Sequence, residues 1–180
     1  MYLPEHGPGQ LIIGVSIEVP QPWASLVRQT RRKAGDPWAD EIPPHITLVG
    51  PTVIEDQAVE DVYSHLDAVT STVQAFPIHL QGTDTFRPLS PVVFVAVEEG
   101  SQECGRLEAV ARSGPLAQDV RFPYHPHVTI AHDVPDQAMD RAADELASFD
   151  ARFTVSHIWV YEFYDNNVWR KRKRFALRGQ

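Results

Sequence analysis

One short pattern occurs twice in this chain and constrains its fold more than any other feature. Pro44-His-Ile-Thr-Leu48 and Pro126-His-Val-Thr-Ile130 are both Pro-His-x-Thr followed by an aliphatic residue, with His45 and His127 offset by 82 positions. The flanking segments keep nearly the same offset: the apolar run 12–19 matches 93–99, and the helical pattern 59–69 matches 141–149. A repeat of this length without a Ser/Gly-rich linker reads as a duplicated unit whose halves share a core, a pseudo-twofold α+β protein with equivalent strands facing one cleft. The expected organisation is a single bilobal domain over residues 1–180, with repeats of about 11–81 and 92–165 whose lobes are interwoven.

Hydrophobic periodicity supplies the elements. Residues 11–19 read as a strand, and a helix follows to Lys33 with Pro in its first turn. The first motif is a short strand, 45–49, closed by Gly50 and Pro51. Val59, Val62, Leu66 and Val69 recur at three- and four-residue intervals, placing them on one face of a helix over 57–73. Strands at 76–80 and 91–97, a helix from Ser101, a strand at 127–132 and a helix over 136–149 follow. The chain closes with a hairpin of strands 153–164 and 168–177 across Asp165, Asn166 and Asn167.

The composition, 43% hydrophobic and 22% charged in 180 residues, is that of an ordinary soluble globular domain. The single cysteine, Cys104, cannot form an intramolecular disulfide, so a reducing cytoplasm is the expected compartment. The N-terminal residues lack a basic signal-peptide region, and the apolar run after them is too short to span a membrane. A formal net charge of −8 opposes a tight, sequence-independent grip on duplex nucleic acid but leaves a small or end-bound phosphate substrate open. With no heptad seam in the sequence, a monomer is expected.

Side chains two residues apart on a strand share a face at ~6.6 Å spacing, so each motif presents one imidazole beside one hydroxyl. His45 with Thr47 and His127 with Thr129, brought together by a pseudo-twofold axis, would surround a small polar space. That set suits in-line displacement at phosphorus: one imidazole as base, one as acid, and the hydroxyls as donors to the phosphate oxygens. Protonated histidine and hydroxyl donors can meet the charge that Mg²⁺ otherwise neutralises, so no metal or other cofactor is expected.

The paired motifs, His45-Ile-Thr-Leu48 and His127-Val-Thr-Ile130, in a duplicated α+β chain of this length resemble the two-histidine (2H) phosphoesterase superfamily, nearest its 2′-5′ RNA ligase-like branch. The lead-in Phe122-Pro-Tyr-His-Pro-His127 is also similar to that preceding the family's second motif. The resemblance implies a bilobal fold, two antiparallel sheets flanking a central cleft with helices outside. It implies hydrolysis or reversible ligation at 2′,3′-cyclic phosphates or 2′-5′ linkages of RNA ends or small nucleotides. It further implies an aromatic residue near the cleft at Phe86, with Arg87 beside it.

Other residues carry competing readings. Tyr124 and Phe86 would either stack on a base or cover the core edge. His125, His127 and His132 form an alternative metal-ligand set, and a non-catalytic RNA-end or nucleotide-binding module is a further alternative. The run Arg170-Lys-Arg-Lys-Arg174 reads first as charge that blocks edge pairing. Were it to meet substrate, strict alternation would send either Arg170, Arg172 and Arg174 or Lys171 and Lys173 to the cleft.

Overall fold

The computed structural model describes residues 3–120, 122–164 and 168–179. Its elements run β1 (Gln10–Glu18), α1 (Trp23–Ala34), β2 (His45–Glu55), α2 (Val59–Thr72), β3 (Phe76–Thr85), β4 (Val92–Glu99), α3 (Ser101–Ala111), β5 (His127–His132), α4 (Asp136–Glu145), β6 (Asp150–Val155), β7 (His157–Tyr164) and β8 (Val168–Ala176).

The strands follow the order β6-β3-β4-β5-β2-β1-β7-β8, with every neighbouring pair antiparallel. Two four-stranded halves are thus present, and they meet where β2 and β5 pair at Ile46 and Val128. The motif strands sit side by side at the centre of the pseudo-twofold arrangement. Helix α1 follows β1 yet packs on β5 and α4, while α3 follows β4 yet packs on β2. Each half therefore lends a helix to the other, and the two cannot separate without exposing apolar surface.

The helices cover one face of the sheet. Val27 of α1, Leu66 of α2, Leu107 of α3 and Met139 of α4 are buried against Ile46, Val128, Ile130 and Ile158 of the strands. Burying each large side chain contributes about 1.5–3 kcal/mol. Helix α1 ends at Gly35, whose φ of +82° lets its own N–H donate to the Arg32 carbonyl and the Asp36 N–H donate to the Arg31 carbonyl. Asp36 then accepts from Arg31 Nε at 2.8 Å in a buried pair, and Arg31 Nη1 donates to the Ile42 carbonyl at 2.6 Å. These bonds fix the loop that delivers the chain to His45.

Several expected boundaries move. β2 does not stop at Gly50-Pro51, because those two residues bulge opposite Gly14, where the missing Pro N–H costs no ladder bond. β3 likewise runs past Leu80 through a register shift that takes in Gly82. Helix α4 ends at Glu145 rather than at Phe149. The expected 153–164 strand is two strands broken at Ser156, since β6 pairs with β3 and β7 with β1 at opposite ends of the sheet. The expected turn at Asp165, Asn166 and Asn167 lies outside the described residues.

Candidate active site

Ile46 and Val128 point into the core, fully buried, so the residues flanking each project to the opposite, helix-free face. Antiparallel register about that pair sets His45 across from Thr129 and His127 across from Thr47. All four are half-buried. The same register logic places Ser16 beside Thr47 and Glu18 beside His45 on β1, and Phe94 beside Thr129 and Ala96 beside His127 on β4.

The two imidazoles are held identically. His45 Nδ1–H donates to the Pro43 carbonyl at 2.8 Å, and His127 Nδ1–H donates to the His125 carbonyl at 2.7 Å. A carbonyl only accepts, so Nδ1 carries the proton and Nε2 is left with its lone pair. Burial pushes the His45 imidazole down to about 4, with Arg31 and His127 adding to the effect against the opposing Pro43 bond. Burial also lowers His127, and His125 and His132 add repulsion. Both rings are therefore neutral near pH 7.

Phe86 stands edge-on to His127, with ring centroids 4.9 Å apart, and lies against Phe94 at 4.4 Å. Phe94 in turn contacts both His127 and His125. These rings limit the orientation of the second imidazole. Arg87 faces away toward α4, where it donates to Asp140 at 2.7 Å and Asp136 at 3.4 Å. The Tyr124 hydroxyl donates to the Thr47 carbonyl at 3.0 Å, tying the lead-in of the second motif to the first motif strand. That bond takes the Thr47 backbone, not its hydroxyl.

The His125, His127 and His132 set does not converge. His132 is five strand positions from His127, roughly 16 Å along β5, and pairs with Asp133 at 3.1 Å. Among the described residues no group of three or more His, Cys, Asp or Glu side chains is placed to hold a metal ion. Nor is any helix of the described residues long and apolar enough to cross a membrane.

The basic run occupies β8, at the end of the strand order. Strict alternation fails there, because a register shift between Val160 and Tyr161 leaves Arg172 without a partner in the ladder. Lys171 and Arg174 pair with Tyr161 and Trp159 on the cleft face, as Trp169 does with Phe163. Arg172 instead reaches the buried Glu162 at 2.7 Å, and Lys173 lies over the Tyr63 ring on the helix side. Neither of the alternating sets expected from the sequence forms.

The first-motif side of the cleft also holds a pocket lined by Gly14, Ser16, His45, Thr47, Tyr161 and Trp169 among others. Sequence reading missed Ser16, Tyr161 and Trp169, which lie in unremarkable strand patterns. Only the pairing of β1 with β2 and β7, and of β7 with β8, brings them to His45.

Comparison with known proteins agrees with the fold. The family model of the 2′-5′ RNA ligase superfamily matches residues 19–167. The chain belongs to this superfamily. Among curated relatives, "Putative phosphoesterase BCAH187_A1386" of Bacillus cereus (strain AH187) is 30% identical over 148 residues, covering 81% of this chain and 86% of that protein. "Putative phosphoesterase BH1439" of Halalkalibacterium halodurans is 27% identical over 169 residues, covering 91% and 96%. Among solved structures, E. coli LigT complexed with 3′-AMP aligns with a TM-score of 0.64 at 16% identity, over 93% of this chain and 98% of LigT. TT0787 of Thermus thermophilus aligns at 0.60 with 18% identity, over 94% and 99%. Membership supports a phosphoesterase, and the structural matches establish the shared α+β fold.

Proposed function

We propose that this phosphoesterase is a metal-independent phosphodiesterase that opens 2′,3′-cyclic phosphates or 2′-5′ linkages of RNA ends or small nucleotides, acting as a cytoplasmic monomer. The observation that carries this reading is the matched pair of imidazoles, each with Nδ1 held by a carbonyl two residues upstream and Nε2 without a hydrogen-bond partner among the described residues. LigT, whose fold this chain shares, has been crystallised with 3′-AMP, NADP+ and ATP, which supports a nucleotide ligand.

Both histidines begin neutral, so a bound phosphodiester anion has to raise one of them enough to hold a proton. The neutral partner then takes a proton from attacking water through Nε2 as the new P–O bond forms. The protonated one gives its proton to the departing ribose oxygen as the P–O2′ or P–O3′ bond breaks, yielding the 3′- or 2′-phosphate. Thr47 and Thr129 hydroxyls, each across from the other motif's histidine, donate to the non-bridging oxygens. Phe86 restrains His127, Tyr124 holds the two motif strands in register, and Arg87 secures the Phe86 loop through α4.

Phosphorus NMR of nucleoside 2′,3′-cyclic monophosphates and 2′-5′ dinucleotides incubated with the protein in excess EDTA tests the reading. Conversion of either class to a single monophosphate or cleaved product is expected. Absence of turnover on both, or turnover restored only by added metal, would reject it.

A further inference from the structure

The cleft is pseudo-symmetric in backbone but not in chemistry. The second-motif side is closed by Phe94, Ala96 and Phe86, whereas the first-motif side carries Ser16, Tyr161, Trp159 and Trp169. Three polar atoms there, Tyr161 Oη, Trp169 Nε1 and Trp159 Nε1, are buried without a hydrogen-bond partner among the described residues. Tyr161, itself 6% exposed, and Trp169 line the same pocket as His45, Thr47 and Ser16. Buried donors without acceptors destabilise the fold, so three on one face form a site that stability alone does not favour.

Aromatic side chains, Tyr161 and Trp169, form part of the pocket's lining. A Cβ on Gly14 would lie 3.4 Å from Trp169 Cζ3 and 3.4 Å from the Val49 carbonyl, so glycine is what lets the indole lie close over β1. At the rim, Lys171 is paired with Glu18 at 2.7 Å and lies 4.6 Å above the Trp159 ring. Among the described residues no lysine or arginine lines the pocket itself, so it offers neutral donors and aromatic walls rather than a cation for phosphate.

We infer that this pocket receives the nucleobase of the nucleotide whose phosphate lies between His45 and His127, with Trp169 and Tyr161 donating to ring carbonyl oxygens. Indole N–H groups only donate, so the pocket favours a base edge that presents acceptors. Uracil and guanine, each with ring carbonyls, fit this edge better than adenine, which presents an amino group in place of a carbonyl. The inference rests on the phosphodiesterase reading for the position of the phosphate, but its binding arm does not need turnover.

The test compares wild type, Tyr161→Phe, Trp169→Phe and Gly14→Ala. Each is assayed for binding of uridine, guanosine and adenosine 3′-monophosphates and ribose 5-phosphate by calorimetry, and for turnover of the matching 2′,3′-cyclic phosphates. Tyr161→Phe retains the ring and Trp169→Phe keeps a smaller aromatic one, and thermal melting checks the folding of both. Each lost donor should weaken uridine and guanosine nucleotide binding roughly two- to tenfold, raising KM more than it lowers kcat, with a smaller effect on adenosine. Gly14→Ala should weaken all nucleotides but not ribose 5-phosphate. If the monophosphates bind with this pattern while no cyclic phosphate is turned over, the pocket stands and the catalytic reading fails. If turnover proceeds with equal KM for all bases in every variant, or ribose 5-phosphate binds as tightly as the nucleotides, the pocket inference is overturned and catalysis is untouched.

Discussion

Replacing His45 with Asn isolates the cost of keeping an imidazole neutral in the cleft. The Asn amide can still donate to the Pro43 carbonyl, so the variant removes the titration while keeping the bond. His45 is depressed in the folded protein from 6.5 to about 4. A group depressed on folding contributes stability that is complete above its unfolded value and is lost as pH falls toward its folded one. The unfolded chain takes up the proton below pH 6.5, and the folded chain resists until about pH 4. Between pH 7 and 4.5 the wild type should lose on the order of 2 kcal/mol of stability that the variant keeps, at about 1.36 kcal/mol for each pH unit in the window. Carboxylates and the histidines away from the cleft titrate alike in both proteins, so the difference between their urea unfolding free energies, at several pH values, reports chiefly this term. The wild-type advantage should shrink steadily below pH 6.5. A difference that stays constant across pH 7 to 4.5 would refute the buried neutral imidazole, as would an NMR titration placing the His45 ring at an ordinary value.

The same depression should set the activity profile, because in the proposed mechanism the productive pair holds one proton in total. The free-enzyme values are one near 4 and both below 6.5, so kcat/KM on a cyclic phosphate should peak on the acidic side of pH 6.5. The bound anion should shift the kcat profile upward, and an alkaline kcat/KM optimum would contradict the assignment. Tyr124→Phe removes the hydroxyl that holds the Thr47 carbonyl; it should cost about 1 kcal/mol of stability in urea unfolding and lower kcat more than it raises KM. Arg172→Ala leaves the buried Glu162 carboxylate unpaired and should destabilise by about 1–3 kcal/mol, whereas Lys171→Ala, at an exposed pair, should change stability by less than about 1 kcal/mol. Equal effects of the two would mean that β8 does not divide its charges between the faces.

The motif histidines and threonines were legible because their signal is local: a strand fixes which residues share a face, and a repeat fixes which strands are equivalent. Phe86 was reached through family resemblance and lies against His127. Arg87 and Tyr124 were legible as residues but not in their contacts, since nothing in the chain near them records Asp140 or the Thr47 carbonyl. The bulges opposite Gly14 and at Val160 were invisible because a bulge depends on the partner strand; the second of them redistributes the basic run. For the same reason nothing near Trp159, Tyr161 or Trp169 in the chain points to His45, since β7 and β8 reach it only through their pairing with β1 and with each other. The split of the last long strand at Ser156 follows from sheet order rather than from local propensity.

In the proposed mechanism one histidine takes a proton from water while the other gives one to the leaving oxygen. Its most direct test is kcat/KM on 2′,3′-cyclic nucleotides for wild type, His45→Ala, His127→Ala and the double variant in excess EDTA. Each single change should lower the rate by about 10²–10⁴-fold, and the double variant should be little worse than either, because a base without its acid has little left to contribute. Near-wild-type rates in either single variant, or losses that multiply in the double one, would contradict it.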